Sequence, residues 1–268
     1  MAVKNHNITA HKMAQYEVED IVGDVRLVLD QNQTSEAMSE FGDIDTSDLD
    51  DVIRSKIEDA AQLIVSSAPV HKLGGGKDMS LKYIKATQVR TSDYTWYVII
   101  PLPADYLRLL YVKCEDWNKA VSEGITTEDP QYALQRSRVE SVRGNAERPV
   151  VVLAPLTMTI EDPTFKGNGK CLECYSTTQP SKKPSIKYIA KPAIYEVGND
   201  DETIEAIDIP TELYRSVVYA TGYLTATAFG SETQATMLIS VAKDLADINE
   251  KIQAPVIPQQ VEQQQEEQ

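Results

Sequence analysis

Two stretches near the carboxyl end place apolar residues at the spacing of amphipathic helices. The first stops at Phe229 and Gly230, because glycine adopts the left-handed conformation of a helix end at no steric cost. The second opens at Ser231, and Gln234 completes a predicted capping box. So short a connection predicts a helical hairpin over residues 208–252. The predicted buried positions are Leu213, Val217, Ala220, Leu224 and Ala228, then Leu238, Val241, Leu245, Ile248 and Ile252, with Gly222, Thr225 and Ala226 allowing close helix approach.

Two more amphipathic helices are predicted in the amino-terminal third. The first runs from Ala14 to about Asp30. The second opens with a capping box of Ser47 and Asp50 and stops before Pro69, since a residue preceding proline is pushed out of the helical region. Neither helix pair can bury its apolar faces alone, so a four-helix bundle built from both chain ends is predicted. Its amino-terminal buried positions are Ala14, Val18, Ile21, Val25 and Val28, then Ile53, Ile57, Ala60 and Ile64.

Between the helix pairs the apolar and polar residues alternate with a period of two, which is typical of strands. The fold class is therefore predicted to be α+β: a helical bundle from N- and C-terminal helix pairs with an inserted antiparallel β-rich region. The predicted strands cover residues 95–100, 107–117, 149–155, 157–160, 170–176 and 185–190.

The chain ends differ from this core in composition. A polar arm is predicted at its start, residues 1–8. The last residues are rich in proline and glutamine and include Pro255 and Pro258. A segment of this composition cannot make a core, so we expect it to be disordered alone and to order against a partner. The predicted segments are 1–79 (first half of the bundle), 80–195 (β-rich insertion), 196–252 (second half of the bundle) and 253–268 (tail).

Charge limits the possible partners. The formal net charge is −15, which argues against a protein that grips nucleic acid by neutralising phosphates, and against binding to an anionic membrane surface. No run approaches the ~18 apolar residues of a membrane span, and the first ten residues lack a signal-peptide core. Three cysteines, an odd number, suggest a reducing compartment. We therefore expect synthesis and folding in a cytoplasm, without a membrane partner.

Several motifs suggest chemistry, but each lacks an essential part. Cys171 and Cys174 form a CxxC without a second ligand pair, and three-residue spacing on a strand would point the thiols to opposite faces. The sequence GGGKD at 74–78 lacks the spacing and the hydroxyl residue of a phosphate-binding loop, and favours a hinge. The acidic stretch 43–51 lacks the glycine and glutamate of a calcium loop. None of the three histidines has a catalytic neighbour, so no enzyme, metal or cofactor site is predicted.

A resemblance gives the functional expectation. The segment IPLPADYLRLL at 100–110, followed by Trp117, is similar to a turn and strand in head-to-tail adaptor proteins of tailed bacteriophages, in particular the neck ring proteins of crAss-like podophages. Similar runs follow as PQYALQ at 130–135 and RGNAERP at 143–149. The sequence IPTEL at 209–213 then opens the helical hairpin. The order of elements is similar over about residues 47–250.

This resemblance implies a non-enzymatic virion protein that forms a dodecameric ring. Its implied partners are other copies of itself, the portal protein, and the next ring or tail protein, while genomic DNA passes through the channel without specific binding. Asp105 is expected to hold its turn, and Arg108 to reach a neighbouring element or subunit. The tyrosines of the hairpin lie off its predicted buried stripe and are interface candidates, the alternative being that they are core residues of a helix buried on all sides. The full candidate set is Asp105, Arg108, Trp117, Tyr214, Tyr219, Tyr223, Pro255 and Pro258.

Two other functions stay open at this point. One is a different neck or tail component, such as a stopper, a tail-tube protein or a scaffold. The other is a host-acting regulator that binds a protein partner through its acidic surface. The turn around Asp105 is also compatible with any strand that follows a tight turn.

Overall fold

The computed structural model describes residues 13–31, 46–80, 82–90, 93–137, 139–160, 162, 164–177, 184–199 and 202–248. The predicted polar arm, most of the acidic stretch and the tail with Pro255 and Pro258 lie outside these residues. The helices of the described part are α1 (Val18–Gln31), α2 (Thr46–Ser67), α3 (Pro130–Leu134), α4 (Tyr214–Ala228) and α5 (Glu232–Ala246). Its strands are β1 (Met13–Glu17), β2 (Lys77–Asp78), β3 (Lys85–Arg90), β4 (Asp93–Pro103), β5 (Tyr106–Lys113), β6 (Ile125–Thr126), β7 (Val150–Pro155), β8 (Gly167–Thr177), β9 (Ser185–Ala190), β10 (Ile194–Asn199) and β11 (Glu202–Pro210).

The strands form three sheets within the described residues. The first has the order β1-β11-β10, the second β2-β9-β5, and the third β3-β4-β8-β7-β6. Neighbouring strands are antiparallel except β6 and β7, which are parallel. The predicted α+β class, with a helical bundle and an inserted β-rich region, is confirmed.

The four long helices share one aliphatic core, in which α4 packs against α1, α2 and α5. The predicted buried positions of α1 and α2 are confirmed, and α2 ends at Ser67, just before Pro69, as expected. The end of α4 is also confirmed. Gly230 has φ of +77°, and the amide of Ser231 donates to the carbonyl of Ala226 over 2.9 Å.

The second sheet lies between the helices and the third sheet. Leu110 and Ile189 point into the helical core, while Leu109 and Tyr188 point into a separate core against the third sheet. Gly76 approaches this sheet closely. A Cβ added there would lie 2.3 Å from Leu110 Cδ1, and φ is +64°. Glycine is therefore required at the connection that the sequence marks as a hinge.

The start of the first predicted helix is wrong. Residues 13–17 form β1, which pairs with β11 through Ala14–Ile209 and Tyr16–Ile207. Ala14 and Tyr16 are half-buried and their neighbours exposed, so this short stretch follows the two-residue period of a strand. The segment 196–252, which was predicted to contain only a helical hairpin, also begins with strands. Its strand β11 places Ile207 and Ile209 in the helical core.

Two predicted strands need correction. The strand predicted at 107–117 ends at Lys113, because the chain turns there and the amide of Trp117 donates to the carbonyl of Cys114 over 3.1 Å. Residues 157–160 form no strand. The ladder between β7 and β8 stops at Pro155 and Lys170, next to Gly169 with φ of +76°.

The capping box predicted at Ser231 is wrong, and the one predicted at Ser47 stays a prediction. Ser231 makes no side-chain cap, and the Nε2 of Gln234 instead donates to the carbonyl of Leu29 over 3.0 Å. The side chain of Ser47 lies outside the described residues, and the carboxylate of Asp50 pairs with the Nε of Arg26 at 2.7 Å. The side chain of Gln234 thus makes a tertiary bond to α1 instead of a local cap.

Candidate functional site: turns, tyrosines and exposed apolar surfaces

Asp105 lies in the turn between β4 and β5 and connects three strands. Its carboxylate accepts a bond from the Nζ of Lys77 at 2.7 Å and from the hydroxyl of Tyr188 at 3.0 Å. Its carbonyl accepts from the amide of Lys191 over 2.7 Å. The bond to Asp105 raises the pKa of Lys77, and burial raises that of Tyr188. Asp105 thus holds the turn by bonds to β2 and β9.

Arg108 reaches a neighbouring element, as the sequence predicts. Its Nη1 donates to the carbonyl of Ala68 at 2.7 Å and to that of Ser66 at 3.4 Å. These carbonyls lie at the carboxyl end of α2, where a helix leaves acceptors without intrahelical partners and favours positive charge. Arg108 therefore joins the second sheet to the helical bundle inside one chain.

Trp117 is a core residue. It is 2% exposed and packs between the second and third sheets with Val112 and Cys114. Its Nε1 has no hydrogen-bond partner among the described residues. Trp117 was predicted as an interface or structural candidate, and this burial favours the structural role.

The three tyrosines of α4 are half-buried and pack against the helical core. Tyr214 is the most firmly held. Its hydroxyl donates to the carboxylate of Asp24 at 2.7 Å, and its ring stacks on Tyr16 with centroids 4.2 Å apart. Burial, followed by the bond to Asp24, raises the pKa of Tyr214. Tyr219 and Tyr223 expose part of their rings, so a neighbour could contact them without unfolding the bundle.

The second helix of the hairpin exposes large apolar side chains that the sequence analysis placed partly in the core. Met237, Val241 and Leu245 are 52%, 38% and 39% exposed. Because they are four residues apart, they form one continuous row on the helix, here called the α5 stripe. The face of α5 that packs inward carries smaller residues. Among the positions of this helix that the sequence predicts to be buried, only Leu238 is fully buried. The members of the inward face are Ala235, Leu238, Ala242 and Ala246.

A second exposed apolar surface lies on the hairpin of β10 and β11. Val197 and Ile204 are cross-strand partners and are 36% and 38% exposed. The strand β1 pairs with β11 only from Ala206 onward, so residues 196–199 and 202–205 extend beyond it. We call this feature the β10–β11 tip. The sequence analysis missed it, although the alternation of Tyr195, Val197 and the isoleucines of β11 is a strand pattern.

Charge is unevenly distributed along the chain. More than half of the 26 Lys and Arg residues lie between residues 80 and 195, but fewer than a third of the 41 Asp and Glu residues do. The helical part and the β10–β11 tip are therefore strongly acidic, while the β-rich insertion carries a small positive balance. Glu196 and Glu205 add two exposed carboxylates to the tip.

A cleft of about 590 Å³ opens beside the Asp105 turn. Its polar groups are largely paired with one another: Lys77 with Asp105, and the hydroxyl of Tyr195 with Asp208 at 2.8 Å. This lining shows no nucleophile next to a base.

The two cysteines of the CxxC do not form a joint site. Cys171 and Cys174 face opposite sides of β8 and belong to different apolar clusters, as their spacing predicts. Burial raises the pKa of Cys171 to about 12, which leaves its thiol protonated and unreactive. Among the described residues, no group of three His, Cys, Asp or Glu side chains could hold a metal ion. No helix in that part of the chain is both long and apolar enough to cross a membrane.

Comparison with known proteins adds no family. The chain matches no protein-family model and no curated protein. The functional argument therefore rests on the residues themselves and on the resemblance of the segments around 100–149.

Proposed function

We propose that this chain is a structural virion protein that forms a head-to-tail adaptor ring on the portal and connects the capsid to the tail. The observation that carries the proposal is the pair of exposed apolar surfaces, the α5 stripe and the β10–β11 tip, on one chain. Rows of large apolar side chains outside the core are typical of contact surfaces. The resemblance of residues 100–110, 130–135 and 143–149 to phage neck ring proteins supplies the kind of assembly.

A ring needs contacts between two different surfaces of the same chain. When such a head-to-tail contact repeats with a closing rotation, a ring forms. The two apolar surfaces lie on separate elements, which meets this requirement. By resemblance, the ring has twelve copies.

The excess of acidic residues suits a protein that surrounds DNA without holding it. Phosphates are repelled by carboxylates, so a net charge of −15 disfavours adhesion of the genome during passage. The partners in this proposal are further copies, the portal, and the next ring or tail protein. No cofactor takes part.

Quantitative mass spectrometry of purified phage particles tests the proposal. We expect this chain in the particle at the same copy number as the portal. Electron microscopy of the neck then separates an adaptor from a stopper or tail-tube protein, because each occupies a different level below the portal. A chain found in infected cells but absent from particles would contradict the proposal and favour a host-acting regulator.

A further inference from the structure

The chain leaves α5 by folding back over the last helical turn. Asp247 has φ of +56°, and the amide of Ile248 donates to the carbonyl of Lys243 over 2.9 Å. This bond pattern ends a helix and reverses the chain. The Nζ of Lys72 fixes the same end, at 3.1 Å from the carbonyl of Leu245 and 2.6 Å from the carboxylate of Asp247. Ile248 packs against the helical core, so the chain beyond it starts from an anchored point three residues after Leu245, the last member of the α5 stripe.

The continuing sequence contains an apolar segment at a suitable distance. Residues 254–258 read Ala-Pro-Val-Ile-Pro and are followed by Gln259 and Gln260. An extended chain gains roughly 3.3 Å per residue, so Ala254 can lie up to ~20 Å and Pro258 up to ~33 Å from Ile248. The α5 stripe is only ~12 Å long from Leu245 to Met237, at a rise of ~1.5 Å per residue. The segment can thus cover all of it.

We infer that residues 254–258 cover the α5 stripe of their own chain before any partner binds. The inference does not depend on the proposed function, since it concerns the isolated chain. The sequence predicts that the whole tail is disordered when no partner is bound. The inference changes this expectation for residues 254–258, which it places on the stripe, and keeps it for the polar residues that follow. A partner that uses the stripe must then displace this segment.

Two physical reasons favour the chain's own segment as the occupant. The tether of about five residues keeps it near the stripe at an effective concentration that a second molecule reaches only in concentrated solution. Pro255 and Pro258 restrict the free segment to extended conformations, so less conformational entropy is lost on binding. Val256 and Ile257 then supply apolar side chains to contact Met237, Val241 and Leu245.

Methyl-labelled nuclear magnetic resonance of the full chain tests this directly. We expect nuclear Overhauser contacts between the methyl group of Met237 and those of Val256 or Ile257, unchanged on dilution. Ile257→Asp should remove these contacts and make oxidation of Met237 by hydrogen peroxide several-fold faster. The matched control is Gln260→Asp, which adds the same charge outside the apolar segment and should change neither result. The methyl signal of buried Met79 reports that each variant stays folded.

Two results would overturn the inference. One is a Met237 methyl environment and oxidation rate that are identical in the full chain, in Ile257→Asp and in a chain ending at Gln253. The other is contacts that weaken on dilution, which would assign the stripe to a second copy of the chain.

Discussion

The two helices of the carboxyl-terminal hairpin have equal lengths, 15 residues each, but different surroundings. Helix α4 is enclosed by α1, α2 and α5, and it buries residues around most of its circumference, including Val217, Val218 and Thr221. Helix α5 has one buried face made mainly of alanine, and its larger apolar side chains are exposed. Apolar content alone therefore does not tell which face of a helix is the core.

The difference follows from packing distance. Small residues bring α5 close to α4, where a Cβ added to Gly222 would lie 3.4 Å from Leu238 Cδ1. A face made mainly of alanines fits this narrow space, and its one leucine, Leu238, lies opposite Gly222, where no side chain competes with it. The large residues of α5 thus lie outside, where they are available for contact with a partner or with another segment of the chain.

The largest expected effect is a difference in the free energy of unfolding between alanine substitutions of two leucines in α5. Leu238 is 1% exposed and Leu245 is 39% exposed. Leu238→Ala should lower the free energy of unfolding by about 2–5 kcal/mol, because it removes buried methyl groups and leaves a cavity. Leu245→Ala should cost less than about 1 kcal/mol, because the side chain lies outside the helical core and its removal leaves no buried cavity. Chemical denaturation of both variants measures the contrast, and equal losses would show that α5 is buried on both faces.

A smaller loss of stability is expected from a substitution at the contact between α4 and α1. Tyr214→Phe removes the hydroxyl that donates to Asp24 and should lower the free energy of unfolding by roughly 1 kcal/mol. Tyr219→Phe is the matched control, because its hydroxyl has no hydrogen bond within the described part of the chain. Thermal denaturation of the two variants compares them. A control that is as destabilised as Tyr214→Phe would contradict the role given to the Asp24 bond.

Gly222→Ala, in contrast, should raise the free energy of unfolding. The nearest atoms to the new Cβ are Leu238 Cδ1 at 3.4 Å and Val28 Cγ1 at 3.8 Å, which is ordinary van der Waals contact. Alanine favours a helix interior over glycine by up to ~1 kcal/mol, so a gain of about 0.5 kcal/mol is expected. A marked loss of stability in urea denaturation would show that α4 and α5 lie closer together than the structure indicates.

The smallest expected effect is a pH-dependent change in the melting temperature. It concerns the ion pair between Lys72 and Asp247 at the carboxyl end of α5. The bond from Lys72 lowers the pKa of Asp247 below its usual value near ~3.9. A carboxylate with a lowered folded-state pKa stabilises the protein above the unfolded-state pKa, and this contribution disappears as the pH falls through the folded-state value. Lys72→Met should therefore lower the melting temperature at neutral pH, and the difference from wild type should narrow below about pH 4.

Lys119→Met is the control for this pH series, because Lys119 is an exposed lysine of the β-rich insertion. It should change the melting temperature little across the same range. A loss for Lys72→Met that stays constant down to the lowest pH would assign the effect to the packing of its aliphatic chain instead of to the ion pair.

The sequence allowed much of the fold to be predicted where one periodicity extends over several turns. The buried rows of α1 and α2 follow from their spacing alone, as does the strand at 185–190. Short elements could not be found this way. The five residues of β1 precede a helix with compatible spacing, and only their pairing with β11 makes them a strand.

The candidate site was predictable only in part, because exposure depends on partners distant in sequence. Arg108 reaches the end of α2, as expected, since a cation next to unpaired helix carbonyls is a local electrostatic preference. The sequence left Trp117 as either an interface or a structural residue, because a tryptophan after a turn can be buried or exposed with the same pattern. The α5 stripe and the β10–β11 tip could be recognised only once the alanine face and the extent of β1 were known.

The central claim is that this chain acts by docking into a phage neck through surfaces outside its core. The most direct measurement is the copy number per purified particle, by quantitative mass spectrometry, for the wild-type chain and for a Met237→Glu, Leu245→Glu double variant. We expect the copy number of the wild-type chain to equal that of the portal. The variant should have the melting temperature of the wild type but be missing from particles. Absence of the wild type from particles, or normal incorporation of the variant, would contradict the account.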